Sequence, residues 1–319
     1  MGDTFPVPMK TLSVVVPVYY NEANLHETIP RLLGLQASLP DMRLELIFVD
    51  DGSGDRSLSI LLEHQKKNPE SIRVVKLTRN FGAMAAVQAG FLQATGDCVG
   101  MVSADLQDPV HILVDMVAHW RKGARAVYAV RTARQDPLSS RIFSRLYYAL
   151  VRRLVMADYP AGGFDFLLAD RQIIDIINGI REKNTNVMTL IHWLGFEPVK
   201  IPYERAQRKA GASRWTMRKK IKFFLDSFVA FSYVPIRFLS ATGILLSSLA
   251  FVYAGAVFYD RLVNGVVVPG WTALALGVVF LGGLQILMLG VLGEYLWRTL
   301  DETRKRPSFV VDRVFVERP

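Results

Sequence analysis

Met101 to Pro109 reads MVSADLQDP, and it places two carboxylates and an amide where a hydrophobic strand runs out into a loop. A carboxylate in that position, facing a cleft, is a common partner of a divalent ion that carries a diphosphate. The same string also fits a helix cap or a solvated acidic turn. Its meaning therefore depends on where the other acidic turns fall.

Working back from it, the same device recurs. Residues 12–18, LSVVVPV, form a β-branched run that ends at Pro17 and a polar Asn21-Glu22 turn, with helical spacing from Leu25 to Leu35. Residues 44–49, LELIFV, run into Asp50-Asp51-Gly52-Ser53, and Leu58, Leu61 and Leu62 space the next helix. Ile72 to Leu77 ends at Arg79-Asn80-Phe81-Gly82 before an alanine-rich helix from Ala83 to Ala94, and Cys98 to Val102 delivers the opening stretch. A fifth strand, Ala126 to Val130, ends near Arg131 and Arg134. Strands alternating with helices predict an α/β fold with a mostly parallel, doubly wound sheet, and such sheets bind ligands beyond the carboxyl ends of their strands.

Further on, Ser139 to Met156 mixes arginines with a broad apolar face, which suits a helix lying on a bilayer or an ordinary amphipathic core helix. Asp165 sits between Phe164 and Phe166 as either a shielded functional acid or a helix cap, and LLADRQIIDIING has helical spacing up to Gly179. A basic strip follows, from Tyr203 through Arg205 and Arg208 to Lys222. The composition then flips. Ile236–Tyr259 carries only Arg237, and Trp271–Trp297 only Glu294, each long enough for about 30 Å of hydrocarbon. Lysine and arginine crowd before the first stretch and after the second, so a two-helix transmembrane hairpin with both termini in the cytosol is expected. The tail SFVVDRVFV alternates enough to be a strand that returns to the main domain or pairs with a neighbouring subunit.

The bulk numbers suit one or two buried cores with part of the chain held in lipid. The chain has 319 residues, is 51% hydrophobic and carries a formal charge of +9, which suits anionic lipid, a phosphorylated substrate or nucleic acid. Cys98 is the only cysteine, which excludes an intrachain disulfide and a thiolate metal cluster and leaves a buried, inert thiol. Met1 to Thr11 lacks the apolar core of a cleavable signal.

VPVYYNE, VDDGSGD, RNFG, SADLQDP and ERAQRKAGASRW together resemble the family 2 glycosyltransferases of GT-A fold, in particular the polyprenyl-phosphate branch that includes dolichyl-phosphate mannose synthases and bactoprenol glucosyltransferases. The resemblance runs through nearly the whole chain. It implies a cytosolic GT-A domain at 1–208, a basic amphipathic interfacial segment at 209–234, the hairpin at 235–298 and a cytosolic tail at 299–319. It implies inverting transfer of a sugar, glucose from UDP-glucose in the bactoprenol type, to a polyprenyl monophosphate such as undecaprenyl phosphate at the bacterial plasma membrane. No nucleic acid partner is implied, and a homo-oligomer, tetramers included, is.

By matching motif, Pro17, Tyr19, Glu22, Asp50, Asp51, Ser103 and Asp105 are expected to bind the donor nucleotide. Asp105 and Gln107 are expected to hold Mg²⁺ or Mn²⁺, and Arg131, Arg134, Arg205 and Arg208 to clamp the acceptor phosphate. Asp105 and Asp165 are the expected catalytic acids, Asp165 as a base or as an orienter of sugar hydroxyls. Two departures stand out: Ser103-Ala104-Asp105 replaces the usual Asp-x-Asp, and the usual single tyrosine before Asn-Glu is doubled as Tyr19-Tyr20. Competing readings are a membrane-anchored nucleotide-sugar-binding protein weakened by Ser103, and a processive polysaccharide synthase. The synthase usually carries Gln-x-x-Arg-Trp, where this chain has Gly211 before Arg214-Trp215, and one hairpin cannot enclose a pore.

Overall fold

The computed structural model describes residues 9–105, 107–133, 148–153, 155–160, 163–164, 166–180, 182, 186–204, 234–264 and 270–316. The first part of the chain forms β1 (Lys10–Val18), α1 (Glu22–Leu33), a short α2 (Leu35–Ser38), β2 (Met42–Asp50), α3 (Ser57–Lys67), β3 (Ile72–Leu77), α4 (Ala83–Gln93), β4 (Cys98–Met101), α5 (Ile112–Arg121) and β5 (Ala126–Ala133). There follow β6 (Phe166–Asp170), α6 (Arg171–Gly179), α7 (Val187–Trp193), β7 (Pro198–Glu204), the long helices α8 (Val234–Asn264) and α9 (Trp271–Thr303), and β8 (Val311–Phe315). The chain divides into two compact units, Met1–Phe224 with Pro307–Pro319, and Leu225–Arg306.

All eight strands join one sheet in the order β7-β5-β6-β4-β1-β2-β3-β8. β1 is parallel to both neighbours, β2 and β4, while β3 is parallel to β2 and β7 to β5. β6 runs antiparallel between β4 and β5, and β8 antiparallel to β3. The chain winds outward from β1 through β2 and β3, then returns to the far side of β1 as β4. The β1/β4 boundary is therefore the switch point of the strand order, the place beyond whose carboxyl ends sheets of this kind hold their ligands.

Both faces of the sheet are covered, which is why its strands read as continuous apolar runs. Leu12, Val14, Val16 and Val18 alternate onto one face, packed in a single core with Leu25, Ile29 and Leu32 of α1, Ile60 and Leu61 of α3, and Leu113, Met116 and Val117 of α5. On the other face α4 comes close enough to β1 that a Cβ at Gly90 would collide with Val15. Each fully buried Val or Leu of this kind contributes about 1.5–3 kcal/mol. Cys98 is wholly buried, and burial pushes its thiol pKa up, as expected of an inert thiol.

One expectation changes, one open alternative is decided and one is met in part. The segment with helical spacing up to Gly179 begins as strand: Phe166 to Ala169 are wholly buried between β4 and β5, and the helix starts only where the Asp170 carboxylate accepts the Gln172 N–H at 3.0 Å. The tail returns to its own sheet as β8, with Lys76 Nζ 2.5 Å from Asp312 Oδ2. Finally, α8 and α9 have 31 and 33 residues, yet only Phe280–Thr303 is both long and apolar enough to cross a membrane among the described residues; the apolar part of α8, Ile236–Ala250, is shorter. In α8, Ser240, Thr242 and Ser248 each donate to the carbonyl four residues back, at 3.0, 2.8 and 2.8 Å, so their hydroxyls are satisfied within the helix. Of the segment around Ser139 to Met156, residues 148–153, 155 and 156 are described; 148–153 are helical, with Val151 buried.

Candidate active site

The carboxyl edge is built from three interlocked loops. Asp51 N–H donates to Val18 O at 2.9 Å, so the β2 exit is tied to the β1 exit. Beyond it the two loops exchange side chains: Ser53 Oγ accepts from Tyr20 N at 3.1 Å, Ser57 Oγ from Asn21 N at 2.9 Å, and Glu22 Oε2 from Arg56 N at 2.9 Å. Glu22 thus satisfies a backbone donor at the start of α3. Tyr20 takes a left-handed φ of 54°, rare for an aromatic residue, and its ring lies over Gly54, where a Cβ would meet the phenol oxygen at 2.6 Å. Tyr19 stands edge-on to Tyr20 with ring centroids 4.8 Å apart.

The neighbouring acids of the β2 exit differ in their engagements. Asp51 accepts Phe81 N–H at 2.7 Å and Gly82 N–H at 2.9 Å, so its carboxylate fastens the Arg79-Asn80-Phe81-Gly82 loop. The two loops approach closely at Gly52, whose φ is +72°; a Cβ there would lie 2.7 Å from the Arg79 carbonyl carbon. Asp50 accepts Ser53 N–H at 3.3 Å on Oδ1, while Oδ2 is buried with no hydrogen-bond partner among the described residues. Burial raises the pKa of both acids; hydrogen bonds from Ser53, and from Phe81 and Gly82, pull the other way.

Across the switch point, β1 outlasts β4: pairing to β4 ends at Val15 and Met101, while pairing to β2 continues to Val18. Pro17, which has no N–H to give a ladder, falls in that unpaired stretch. The acidic loop rises beside it. Thr28 Oγ1 of α1 lies 3.0 Å from both Ala104 O and Asn24 O, so its proton is shared between the loop and its own helix. Ser103 Oγ lies 2.7 Å from Asp105 Oδ1 and 2.7 Å from Asp108 Oδ2, and Gln107 N–H donates to Asp105 Oδ1 at 3.3 Å. Asp108 Oδ1 accepts from Tyr203 Oη at 2.8 Å, and Arg131 Nε donates to the same Tyr203 oxygen at 3.3 Å.

The structure therefore brings Pro17, Tyr19, Glu22, Asp50, Asp51, Ser103, Asp105, Gln107 and Arg131 to one edge of the sheet. Asp165, Arg134, Arg205 and Arg208 lie outside the described residues. Asp108 and Tyr203 belong to the same network and carry no role in the sequence reading. Asp108 lies inside MVSADLQDP, but Tyr203 is 95 residues away from it. A cavity of about 650 Å³ opens at the opposite, amino edge, where Glu45 is engaged by Arg73 at 3.1 Å and by Thr95 N–H at 2.9 Å.

The donor set of the acidic loop suits a hard divalent cation. Its candidates are carboxylate and amide oxygens, the kind that Mg²⁺ and Mn²⁺ take. Two carboxylates converge on one hydroxyl that has a single proton to give, so the loop concentrates negative charge. Among the described residues no group of three or more His, Cys, Asp or Glu converges. An ion here would complete its shell with phosphate oxygens and water, as Mg²⁺ commonly does.

The family model for glycosyl transferase family 2 matches residues 13–178, from the first strand through the acidic loop to the end of α6. The chain belongs to glycosyl transferase family 2. This family 2 enzyme is 36% identical over 304 residues to the uncharacterized glycosyltransferase YkcC of Bacillus subtilis (strain 168), covering 95% of this chain and 94% of that one. It is 32% identical to the prophage bactoprenol glucosyl transferase homolog of Escherichia coli (strain K12), covering 95% and 99% of the two chains. It is 31% identical to the bactoprenol glucosyl transferase of Shigella phage SfII, covering 95% and 97%. Among solved structures, the mannosyltransferase PcManGT from Pyrobaculum calidifontis in complex with GDP-Man and Mn²⁺ superposes with a TM-score of 0.51 at 17% identity, covering 90% of this chain and 87% of that one. The shared architecture is the GT-A fold, and the chain is a glycosyltransferase.

Proposed function

We propose that this glycosyltransferase moves a sugar, glucose from UDP-glucose, to a polyprenyl monophosphate such as undecaprenyl phosphate at the cytosolic face of a bacterial plasma membrane, with inversion at the anomeric carbon. The observation that carries the reading is the acidic loop at the β1/β4 switch point, in a chain similar from end to end to proteins named for bactoprenol glucosyl transfer.

Asp50, whose buried Oδ2 has no partner among the described residues, is the acid left to meet a donor N–H of the base. Asp51 shapes the pocket by holding the Phe81 loop. Tyr19, beside Pro17, is assigned the base contact. Asp105 and Gln107 hold Mg²⁺ or Mn²⁺, which supplies charge neutralisation for the departing nucleoside diphosphate. Ser103, where the family usually has an acid, shares its one proton between Asp105 and Asp108 and so ties the two carboxylates of the loop.

An acceptor phosphate oxygen is already ionised at neutral pH, so placement matters more than proton removal. Arg131 stands at the carboxyl edge for that task, and Arg134, Arg205 and Arg208 are assigned with it. Asp165, the residue before β6, is assigned to the sugar hydroxyls or to a base role. The domain limits are 1–208 for catalysis, 209–234 for the basic segment resting on anionic lipid, 235–298 for the hairpin and 299–319 for the tail. Both long helices cross the bilayer in this reading, because α8 is about 46 Å long by its residue count and its hydroxyls are satisfied within the helix. The assembly is a homo-oligomer.

The test is the stereochemistry of the product. Purified protein given UDP-glucose, with its α-linked sugar, Mg²⁺ or Mn²⁺, and undecaprenyl phosphate should yield a β-linked polyprenyl-phosphate glucose by NMR. An α-linked product excludes single displacement, and free glucose alone excludes the lipid acceptor.

A further inference from the structure

Tyr203 joins two parts of the edge that the proposed reaction uses separately. Its ring is buried at 5% exposure and meets Phe166 edge-on with centroids 6.2 Å apart. Tyr203 is the ladder partner of Arg131 in the parallel β5/β7 pair, so the two side chains leave the sheet at the same level. From there its hydroxyl reaches Asp108 on the loop beyond β4, at 2.8 Å, although β5 and β6 separate β7 from β4 in the sheet.

The direction of each bond is fixed by chemistry. A guanidinium can only donate and an ionised carboxylate can only accept, so the phenol proton points to Asp108 and the phenol oxygen receives Arg131 Nε. Asp108 in turn meets Ser103, which meets Asp105. Hydrogen bonds therefore run from Arg131 through Tyr203 to Asp108 on the acidic loop, where the single Ser103 proton is shared between Asp108 and Asp105. A neutral hydroxyl is interposed where a direct Arg131 to Asp108 ion pair would have drawn the guanidinium onto the carboxylate.

We propose that Tyr203 and Asp108 are positioning residues: they set the distance between Arg131, where a phosphate monoester binds, and the Asp105 loop, where the donor diphosphate binds. The inference rests on the function proposed above. Neither residue touches the reacting atoms; each acts by fixing another. Loss of the bridge lets Arg131 move relative to the acidic loop and leaves the nucleotide pocket of β1 and β2 as it was, because that pocket is held by its own bonds among Tyr20, Ser53, Asp51 and Phe81.

The experiment compares Tyr203→Phe, which keeps the ring, with wild type. Two quantities are read: steady-state kinetics with undecaprenyl phosphate, and the Kd for UDP measured without acceptor. The expected split is a rise of about tenfold in KM for the lipid phosphate, the equivalent of one lost hydrogen bond to a charged group, with the Kd for UDP within twofold of wild type. Asp108→Asn attacks the bridge from its other end and should raise the lipid KM likewise; the Kd for UDP is read in Tyr203→Phe alone, because Asp108 belongs to the acidic loop. In an Arg131→Ala background Tyr203→Phe should add less than twofold, because its target is gone. Unchanged lipid KM in both single variants, an equal loss of UDP affinity, or full additivity in the double variant overturns the proposal. Wild type serves as the control on the parent reading: if it makes no lipid-linked sugar, that reading falls and this inference with it, whereas a lipid product made equally well by Tyr203→Phe removes this inference alone.

Discussion

The Asp51 carboxylate receives the backbone N–H of Phe81 at 2.7 Å and that of Gly82 at 2.9 Å, across 30 and 31 residues of sequence. A residue in a glycosyltransferase motif is thus a structural clamp between two loops. Asp51→Ala should lower stability by about 2–3 kcal/mol, since it strands two backbone donors in a partly buried place. A thermal unfolding scan should show that loss without any ligand present.

Asp50 should behave in the opposite way. Burial raises its folded pKa above the unfolded value, so the charged form is disfavoured by folding. Above the folded pKa the ionised group costs stability; below the ordinary carboxylate pKa it is neutral in both states and the cost vanishes. Asp50→Asn should therefore raise the melting temperature at neutral pH, with the gain shrinking as pH falls toward the carboxylate range, while UDP affinity drops at least tenfold. Melting curves and UDP titrations between pH 4 and pH 8, with about 0.5-unit spacing to resolve the transition, would check both.

Gly52 gives a steric prediction. Gly52→Ala places a methyl against Arg79 and Asn80 backbone at a φ of +72°, so both loops must shift. A loss of about 2 kcal/mol or more is expected, together with weaker UDP binding, by the same melting and titration measurements.

Ser103→Asp would put a third carboxylate beside Asp105 and Asp108. Like charges at hydrogen-bond distance repel, so the variant should melt lower than wild type in EDTA. Added Mn²⁺ should narrow or reverse that gap, as read by thermal shift with and without the ion.

Much of this arrangement is legible in the residues. The β-branched runs at 12–18, 44–49 and 72–77 end in polar turns, and β1, β2 and β3 follow them within two residues. Phe166 to Ala169 is not legible as strand, because four apolar residues buried on both faces lack an alternating pattern and lead directly into a helix of strong 3.6 spacing. β7 alternates Val199, Ile201 and Tyr203 with Pro198, Lys200, Pro202 and Glu204, a pattern whose prolines suit the edge position that it takes. The motif acids at 50, 51, 105 and 108 announce a site, but sequence cannot say which of them clamps a loop and which faces a ligand. That depends on contacts such as Asp51 to Gly82 and Asp108 to Tyr203, made between segments far apart in the chain. The reversed direction of β6 and the return of β8 to β3 are likewise set by packing, which periodicity does not encode.

The most direct measurement is transfer of labelled sugar. Wild type and Asp105→Ala, each purified in detergent, are incubated with UDP-[¹⁴C]glucose, Mn²⁺ or Mg²⁺ and undecaprenyl phosphate, then partitioned between water and organic solvent. The account predicts organic-soluble label released by mild acid from wild type, and none above background from Asp105→Ala although it remains folded. Label confined to a water-soluble polymer, or equal lipid labelling by both proteins, would contradict it.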